Sequence, residues 1–548
     1  MSSVPVLSLV RNGETDDRPP TVDALEARLR ECGEAVIRLV LNAAKDEELS
    51  FKVFEQLLRV EVFAFARAGL VLLLGLVEAR IPTAARQERG GRIFRPAPPQ
   101  ARNLTTTFGV VRYWRTYMRE VADCKRRGFH PLDLALGLTA DRISMNVLAL
   151  AARLATKLSF AEARSTLSLF MPSAPSTEVI EHAVLGFGQR TQQWFKERPA
   201  PAGDGEVLTI MIDSKGAPTV TAEELRRRRG KRRPRPEGAS PRHRGRQRRK
   251  RHPKKARRRK SDKSKNANMA TMVVMYTLKQ DGKNLLGPIN RFLYASFAPK
   301  EHAFVVAQRE AIKRGFGPAS GKTIQLVTDG DDCLARYRTK YFPDAIHTID
   351  IMHIIERLWD AGGGCFREGS AELKEWVELQ KQRLYEGRVH LILDELRGKM
   401  GVSSAARKKR LGKTLLYIEK RIGCVNYKEL MAKDLEIATG SVDGAVKNVI
   451  AWCASAAPPS SSIPVTCRPT RSSRCACRGK RCDNGGMRWI RERAEAVLQL
   501  RCIEINGDWD AFIDKVHDDN RRDADAAGDR RRLQTDQASP LPQMSLAA

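Results

Sequence analysis

Three short apolar runs in this chain each end in an aspartate, and that repetition constrains the architecture more than any other feature of the sequence. "VLTIMIDSKGAP" (207–218) reaches Asp213, "TIQLVTDGDDCLARY" (323–337) reaches Asp329, and "AIHTIDIMHIIERLWD" (345–360) reaches Asp350, with His353 three places on. Each run is short and rich in Val, Ile and Thr, which is the composition of a strand. One such run is often just a strand leaving the core at its solvated edge. Three of them place carboxylates at the ends of several strands, the way catalytic constellations are assembled in open α/β sheets. Gly216 and Gly330 stand close behind the first two acids, where the backbone is expected to turn.

The elements between these runs suggest how they are joined. After the first strand come a strongly basic stretch, two further strand patterns at 269–278 and 289–297, and an amphipathic helix near 300–314. The second and third acidic strands follow, each with a helix behind it, the last beginning near His353. Three strands followed by helix–strand–helix–strand–helix is the order of a ribonuclease-H-like α/β fold, a mixed sheet with helices on its faces. Residues 354–438 are almost wholly amphipathic and Lys/Arg-rich, a helical insertion before the last core helices at 439–516. Upstream, 1–100 reads as a helical module, with apolar residues at three- and four-residue spacing over 22–85. Residues 101–200 read as a DNA-binding region. It opens with a hairpin over 102–120 around Phe108-Gly109 that carries basic residues on one side. A helix over 161–170, a Pro/Ser break and a second helix capped at Ser176 or Thr177 then give helix-turn-helix spacing, which an ordinary helical hairpin shares. The core proper is expected at 201–353, and 517–548 as a disordered tail.

Charge narrows the partners. The 548-residue chain carries a formal charge of +33, which points to a polyanion and to nucleic acid first. Between Arg226 and Lys265 there are 23 Lys or Arg against two acids, so this stretch holds 21 of the 33 net charges. It is expected to be a disordered basic loop, with Arg226, Arg232, Arg248 and Arg258 among its phosphate contacts, supplying affinity by counterion release and little base readout. Base recognition is then expected from elsewhere, the N-terminal helices above all. The most apolar stretch, "AGLVLLLGLVEAR" (68–80), holds about ten apolar residues between Arg67 and Glu78, short of the ~20 that cross a bilayer. With no secretion signal at the N-terminus and eleven cysteines in no regular framework, the expected setting is the cytoplasm or nucleoid, without membrane contact and with reduced thiols.

The elements "IDSKG", "TDG", "DIMH", "LEIATGSVDGAVKNVI" and "GGMRWIRERAEAVLQLRC" resemble insertion-sequence transposases of the DDE class, specifically the bacterial ISKra-type group, over residues 104–516. The resemblance implies a transposase that binds its own element's double-stranded ends, cleaves them and joins them to target DNA, acting as a dimer or larger assembly. It maps the first two metal-binding catalytic acids to Asp213 and Asp329, and the third to Asp443, where the family pattern has Glu. It makes Asp350 and His353 an auxiliary element near the metals or the scissile phosphate, and adds Arg488 and Trp489 to the DNA contacts. Such chemistry uses two magnesium ions, with manganese as a substitute, held by carboxylates from separate elements.

One segment breaks the pattern. Residues 451–478, "AWCASAAPPSSSIPVTCRPTRSSRCACR", have no acid, no lysine and no periodicity, and separate "VKNVI" from "GKRCDNGGMRW". Cys467, Cys475, Cys477 and Cys482 do not have standard zinc spacing, so the segment reads as a disordered insertion interrupting the helix that carries Asp443. Two alternatives to an active transposase follow: a decayed, catalytically weak transposase that only binds DNA, and a ribonuclease-H-like nuclease without strand transfer.

Overall fold

The computed structural model of the chain describes residues 18–48, 50–81, 86–89, 91–122, 128–139, 141–220, 223, 267–282, 284–401, 404–440 and 489–527. The basic stretch 226–265, Asp443, the 451–478 segment, Arg488 and residues 528–548 lie outside them. The protein is a mixed α/β structure that divides into two compact units, Met1–Gly186 with Asp510–Ala548, and Phe187–Trp509.

The first unit opens with two helices, α1 (Val22–Ala43) and α2 (Phe51–Arg80), each started by a hydroxyl cap: Ala24 N bonds Thr21 Oγ1 and Val53 N bonds Ser50 Oγ. They pack together closely enough that a Cβ on Gly75 would lie 2.6 Å from Leu25 Cδ1. A three-stranded antiparallel sheet follows, β1 (Gln87–Arg89), β2 (Arg92–Thr106) and β3 (Gly109–Glu120). Thr106 pairs with Gly109, so the expected hairpin turns at Thr107 and Phe108. Leu74 of α2 packs into a core with Leu104, Val111, Tyr113 and Leu132.

Two of the hairpin's arginines do not face solvent. Arg102 Nη1 lies 2.9 Å from Asp133 Oδ2, Arg115 pairs with the same oxygen, and Tyr113 donates to Oδ1 at 3.3 Å. Burial, with Arg102 beside it, lowers Arg115 to about 10. The expected basic side is therefore partly a buried ion cluster centred on Asp133, which sits in the short helix α3 (Pro131–Ala135).

Next come α4 (Met145–Lys157), α5 (Phe160–Phe170) and α6 (Thr177–Gly188). A reciprocal Ser159–Glu162 capping box starts α5, and Val179 N bonds Ser176 Oγ at the start of α6, so the helix pair has the expected bounds.

One membrane-related expectation needs revising. The apolar stretch is part of a continuous 30-residue helix, α2, which is long and apolar enough by composition to span a bilayer. Its C-terminal half is nevertheless built into this unit: Arg67 donates to Phe108 O at 2.9 Å, and Thr116 N donates to Glu78 at 2.7 Å.

The second unit holds a mixed sheet. Its strands are β4 (Val207–Val220), β5 (Ala267–Asp281), β6 (Asn284–Ser296), β7 (Thr323–Thr328) and β8 (Ile346–Ile349), in the spatial order β6-β5-β4-β7-β8. The β4–β5 and β5–β6 pairs are antiparallel, and β4–β7 and β7–β8 are parallel. A two-residue strand, β9 (Trp489–Ile490), pairs with Thr219 and Val220.

The helices of this unit are α7 (Thr191–Glu197), α8 (Lys300–Lys313), α9 (Asp332–Tyr341), α10 (Ile351–Gly362), α11 (Ala371–Tyr385), α12 (Val389–Gly401), α13 (Ala405–Glu419), α14 (Tyr427–Ala432) and α15 (Arg491–Ile505). The 354–438 stretch is thus helical as expected. The last helix, α16 (Trp509–Ala527), belongs to the first unit from Asp510 on and runs eleven residues into the region expected to be a disordered tail from 517. Lys515–Asp519 and Asp519–Arg522 pairs at helical spacing support it.

Strand alternation sorts the side chains of the sheet onto two faces. Ser214, Thr271, Tyr294 and Ser296 share one face, where Phe195 of α7 meets Tyr294 edge-on at 5.1 Å and Glu495 of α15 accepts from Ser296 Oγ at 2.6 Å. Asp213, Tyr276, Gln325 and Thr348 share the other. There the segment 435–439 is tied down by side chains acting as a strand would: Gln325 donates to Glu436 O at 2.6 Å and accepts from Glu436 N at 3.0 Å. Tyr276 OH reaches Glu436 Oε1 at 2.7 Å.

Candidate active site

The register of the parallel half decides which acids meet. Ile212 pairs with Thr328, and Thr328 pairs with Ile349, so the next residue on each strand, Asp213, Asp329 and Asp350, stands at one level. Neighbouring strands lie about 4.8 Å apart, which makes Asp213 and Asp329 adjacent, with Asp350 one strand further.

The three aspartates differ in setting. Asp213 is half-buried and accepts from Ser214 N at 2.6 Å. It does not end its strand. Ser214 to Pro218 go on pairing with β5, so the turn expected near Gly216 is absent, and Asp213 marks only where the parallel partner stops. Asp329 does leave its strand: Gly330 has φ +78°, and Asp329 Oδ1 accepts from Asp331 N at 2.9 Å. Asp331 caps α9 through Cys333 N.

A clamp from the helical insertion holds the Asp329–Gly330 turn. Tyr417 OH donates to Asp329 O at 2.8 Å, and Arg421 donates to Gly330 O from Nε at 3.0 Å and from Nη2 at 2.6 Å. The Arg421 guanidinium sits 4.2 Å from the Tyr417 ring centre, and that of Arg357 4.9 Å. Burial pushes the Tyr417 phenol up, Asp329 and Asp350 add to this, and the two arginines oppose it.

Asp350 is 2% exposed and is engaged within the fold. One oxygen caps α10 by accepting from Met352 N at 2.8 Å, and the other accepts from Thr439 Oγ1. The neighbouring Ile351 N donates to Ile437 O at 2.9 Å, so the start of α10 ties down the same 435–439 segment that Gln325 holds. His353 lies on α10 with its side chain 39% exposed, its Nδ1 3.5 Å from Glu356 Oε2. Of the expected DNA contacts, Trp489 opens β9, and the arginines lie outside the described residues.

Among the described residues, no group of three or more His, Cys, Asp or Glu side chains is arranged to hold a metal ion. Asp213 and Asp329 supply two neighbouring carboxylates suited to a shared hard cation, and Asp350 is turned into its helix cap. The described residues thus fit part of a ligand set and do not complete it.

No protein-family model matches this chain, and no curated protein matches it.

The residues that the sequence reading missed are those that support the acids. Tyr417 and Arg421 sit four apart at the end of a helix, where nothing separates Arg421 from its many basic neighbours. Gln325 carried a usable signal, a lone amide inside the apolar run "TIQLVTD". His347 is a further polar group beside the site, half-buried. It bonds Thr328 Oγ1 at 3.0 Å and lies 3.4 Å from Cys424 Sγ, and burial, then Arg338 and Arg421, lower it to about 4.

Proposed function

We propose that this protein is a DDE-class transposase of the ISKra type with a ribonuclease-H-like core, which binds the ends of its own element and performs metal-dependent DNA cleavage and strand transfer. The observation that carries this reading is the placement of Asp213 and Asp329 at one level on neighbouring strands β4 and β7. The strand order β6-β5-β4-β7-β8, antiparallel on one side of β4 and parallel on the other, is what a ribonuclease-H-like sheet requires. Divalent cations bound by these acids would activate the attacking hydroxyl and stabilise the leaving oxygen. The chain's own contribution is rigid placement: Asp213 is held in β4 by its pairing with Met272 of β5, and Asp329 on a turn fixed by Tyr417 and Arg421. The third acid of this reading is Asp443, with Asp350 and His353 in supporting roles. Double-stranded DNA is the partner, drawn in by the basic stretch 226–265, and the nucleoid is the place of action.

The test is cleavage of a supercoiled plasmid carrying the element's ends, with and without magnesium. Wild type should nick or cut only with metal, and Asp213→Asn and Asp329→Asn should abolish cutting while end binding persists. Binding of the ends without cleavage by wild type would favour the second reading, a decayed transposase. That reading draws on Asp443 standing where the family pattern has Glu, and on the 451–478 segment that follows it in the sequence. Metal-dependent cutting without end preference or strand transfer would favour a plain nuclease.

A further inference from the structure

A cavity of about 220 Å³ opens within the first unit, between α1, α2 and β3. One face of each helix lines it. Leu25, Arg28 and Cys32 recur at i, i+3 and i+7 on α1, and Ala64, Arg67, Ala68 and Val71 at i, i+3, i+4 and i+7 on α2. Val110, Val111 and Arg112 of β3 close the third side. The room exists because α2 has alanine at 64 and 68, where leucines would fill the gap.

The lining joins two chemistries. Apart from the Cys32 thiol its uncharged side chains are aliphatic, while Arg28, Arg67 and Arg112 bring three positive charges and no acid lines it with them. Arg67 is held in place: Nη1 donates to Phe108 O at 2.9 Å, and its stem lies against the hairpin turn, where a Cβ on Gly109 would stand 3.4 Å from Arg67 Cδ. The Arg112 guanidinium lies 5.8 Å from the Trp114 ring centre. Arg28 pairs with Glu31 at 2.6 Å, but both side chains are more than half exposed, so water screens the pair and a phosphate can displace it.

We propose that this cavity binds a single unstacked nucleotide, its base among the aliphatic side chains and its phosphate on the arginines. Size limits the occupant: an apolar cavity of about 150 Å³ takes a benzene ring, so this one takes one base and has no room for a stack. Charge makes the occupant an anion, and the guanidinium group suits a nucleotide in particular, since it grips phosphate through paired N–H groups and lays its plane on a base. With no carboxylate or amide side chain in the lining, the site takes an unpaired base with little regard to its identity. That differs from reading a groove, which is what a helix pair would do with duplex ends. The nucleotide is either free or extruded from a DNA strand. The proposal rests on the reading of this chain as a nucleic-acid enzyme.

The test is calorimetric titration of the full, nuclease-treated chain with thymidine 5′-monophosphate, in elevated salt to weaken exposed contacts of the basic stretch. Wild type should bind saturably, and Arg28→Gln/Arg112→Gln and Ala68→Leu should each weaken binding about tenfold or more, the first by removing charge and the second by filling the cavity. Arg67 is left intact because it holds the hairpin turn. Lys374→Gln/Lys408→Gln, at exposed positions of the second unit, should bind as wild type does, and circular dichroism checks that every variant is folded. Cys32 supplies a readout at the site itself: the nucleotide should slow its reaction with N-ethylmaleimide, followed by peptide mass spectrometry, and leave the exposed Cys333 unchanged. A single-stranded thymidine tetranucleotide that binds more tightly than the monophosphate, and loses that advantage in the variants, would make a DNA strand the source; the reverse order would make it free nucleotide. No saturable binding, variants that bind as wild type does, or inorganic phosphate binding as tightly as the nucleotide would overturn the proposal. Magnesium-dependent plasmid cleavage by wild type tests the transposase reading separately, so a chain that cuts DNA but fails these titrations would sink this proposal alone.

Discussion

Gly330→Ala tests whether Tyr417 holds the turn that carries Asp329. At φ +78° an alanine costs about 1–2 kcal/mol in backbone strain. The new Cβ would also stand 2.3 Å from Tyr417 Oη, which must move and give up its bond to Asp329 O, about 1 kcal/mol more. With Phe at position 417 the hydroxyl is gone, and the nearest ring atom, Cζ, is 3.1 Å from the Cβ. Gly330→Ala should therefore cost roughly 2–3 kcal/mol in wild type but only about 1–2 kcal/mol beside Tyr417→Phe, a coupling of about 1 kcal/mol in the double-mutant cycle. Urea denaturation of the four proteins, followed by a probe in the second unit, measures it. The same cycle applied to metal-dependent cleavage should show a loss of about a hundredfold for Gly330→Ala, the cost of roughly 1 Å misplacement. Additive stabilities, within about 0.5 kcal/mol, would mean that Tyr417 does not hold this turn.

Three further outcomes are expected. Burial holds His347 neutral in the fold down to about 4, below the usual 6.5 of an imidazole, so as pH falls the unfolded chain takes up the proton first. Its contribution is complete above about pH 6.5 and is lost on going down to about pH 4, by up to about 3 kcal/mol; thermal melts should show a steeper acid loss in wild type than in His347→Gln. Asp350→Ala removes the α10 cap and leaves Thr439 without its acceptor, at roughly 2–3 kcal/mol, whereas Asp350→Asn keeps the cap and should cost less in the same melts. An Asp350→Asn protein of near-native stability that cannot cleave would instead place this carboxylate at the reacting phosphate. Asp133→Asn leaves Arg102 and Arg115 buried without their counter-charge and should destabilise the first unit by about 3–5 kcal/mol, read by calorimetry as a selective loss of one transition.

The order of elements was legible in the sequence because it rests on local signals. Apolar runs of β-branched residues marked β4, β5, β6, β7 and β8, helical periodicity marked α8 and the helices from α10 to α14, and Ser159 and Ser176 marked the starts of α5 and α6. Asp213, Asp329 and Asp350 stood out for the same reason, as charges at the end of apolar runs. What the sequence could not supply was everything set by pairing between distant segments. That β4 runs on past Asp213 follows from its bonds to β5, more than fifty residues away, which override the local Gly216 signal. That Asp350 is a cap and tether rather than an open carboxylate depends on Thr439 and Met352 reaching its two oxygens. Tyr417 and Arg421 acquire their meaning only where the insertion folds back on the strand end. The fate of α2 was decided the same way. Its hydrophobicity is a property of the sequence, but how much of it is covered depends on which neighbours the tertiary structure provides, and for the N-terminal half of this helix it provides few.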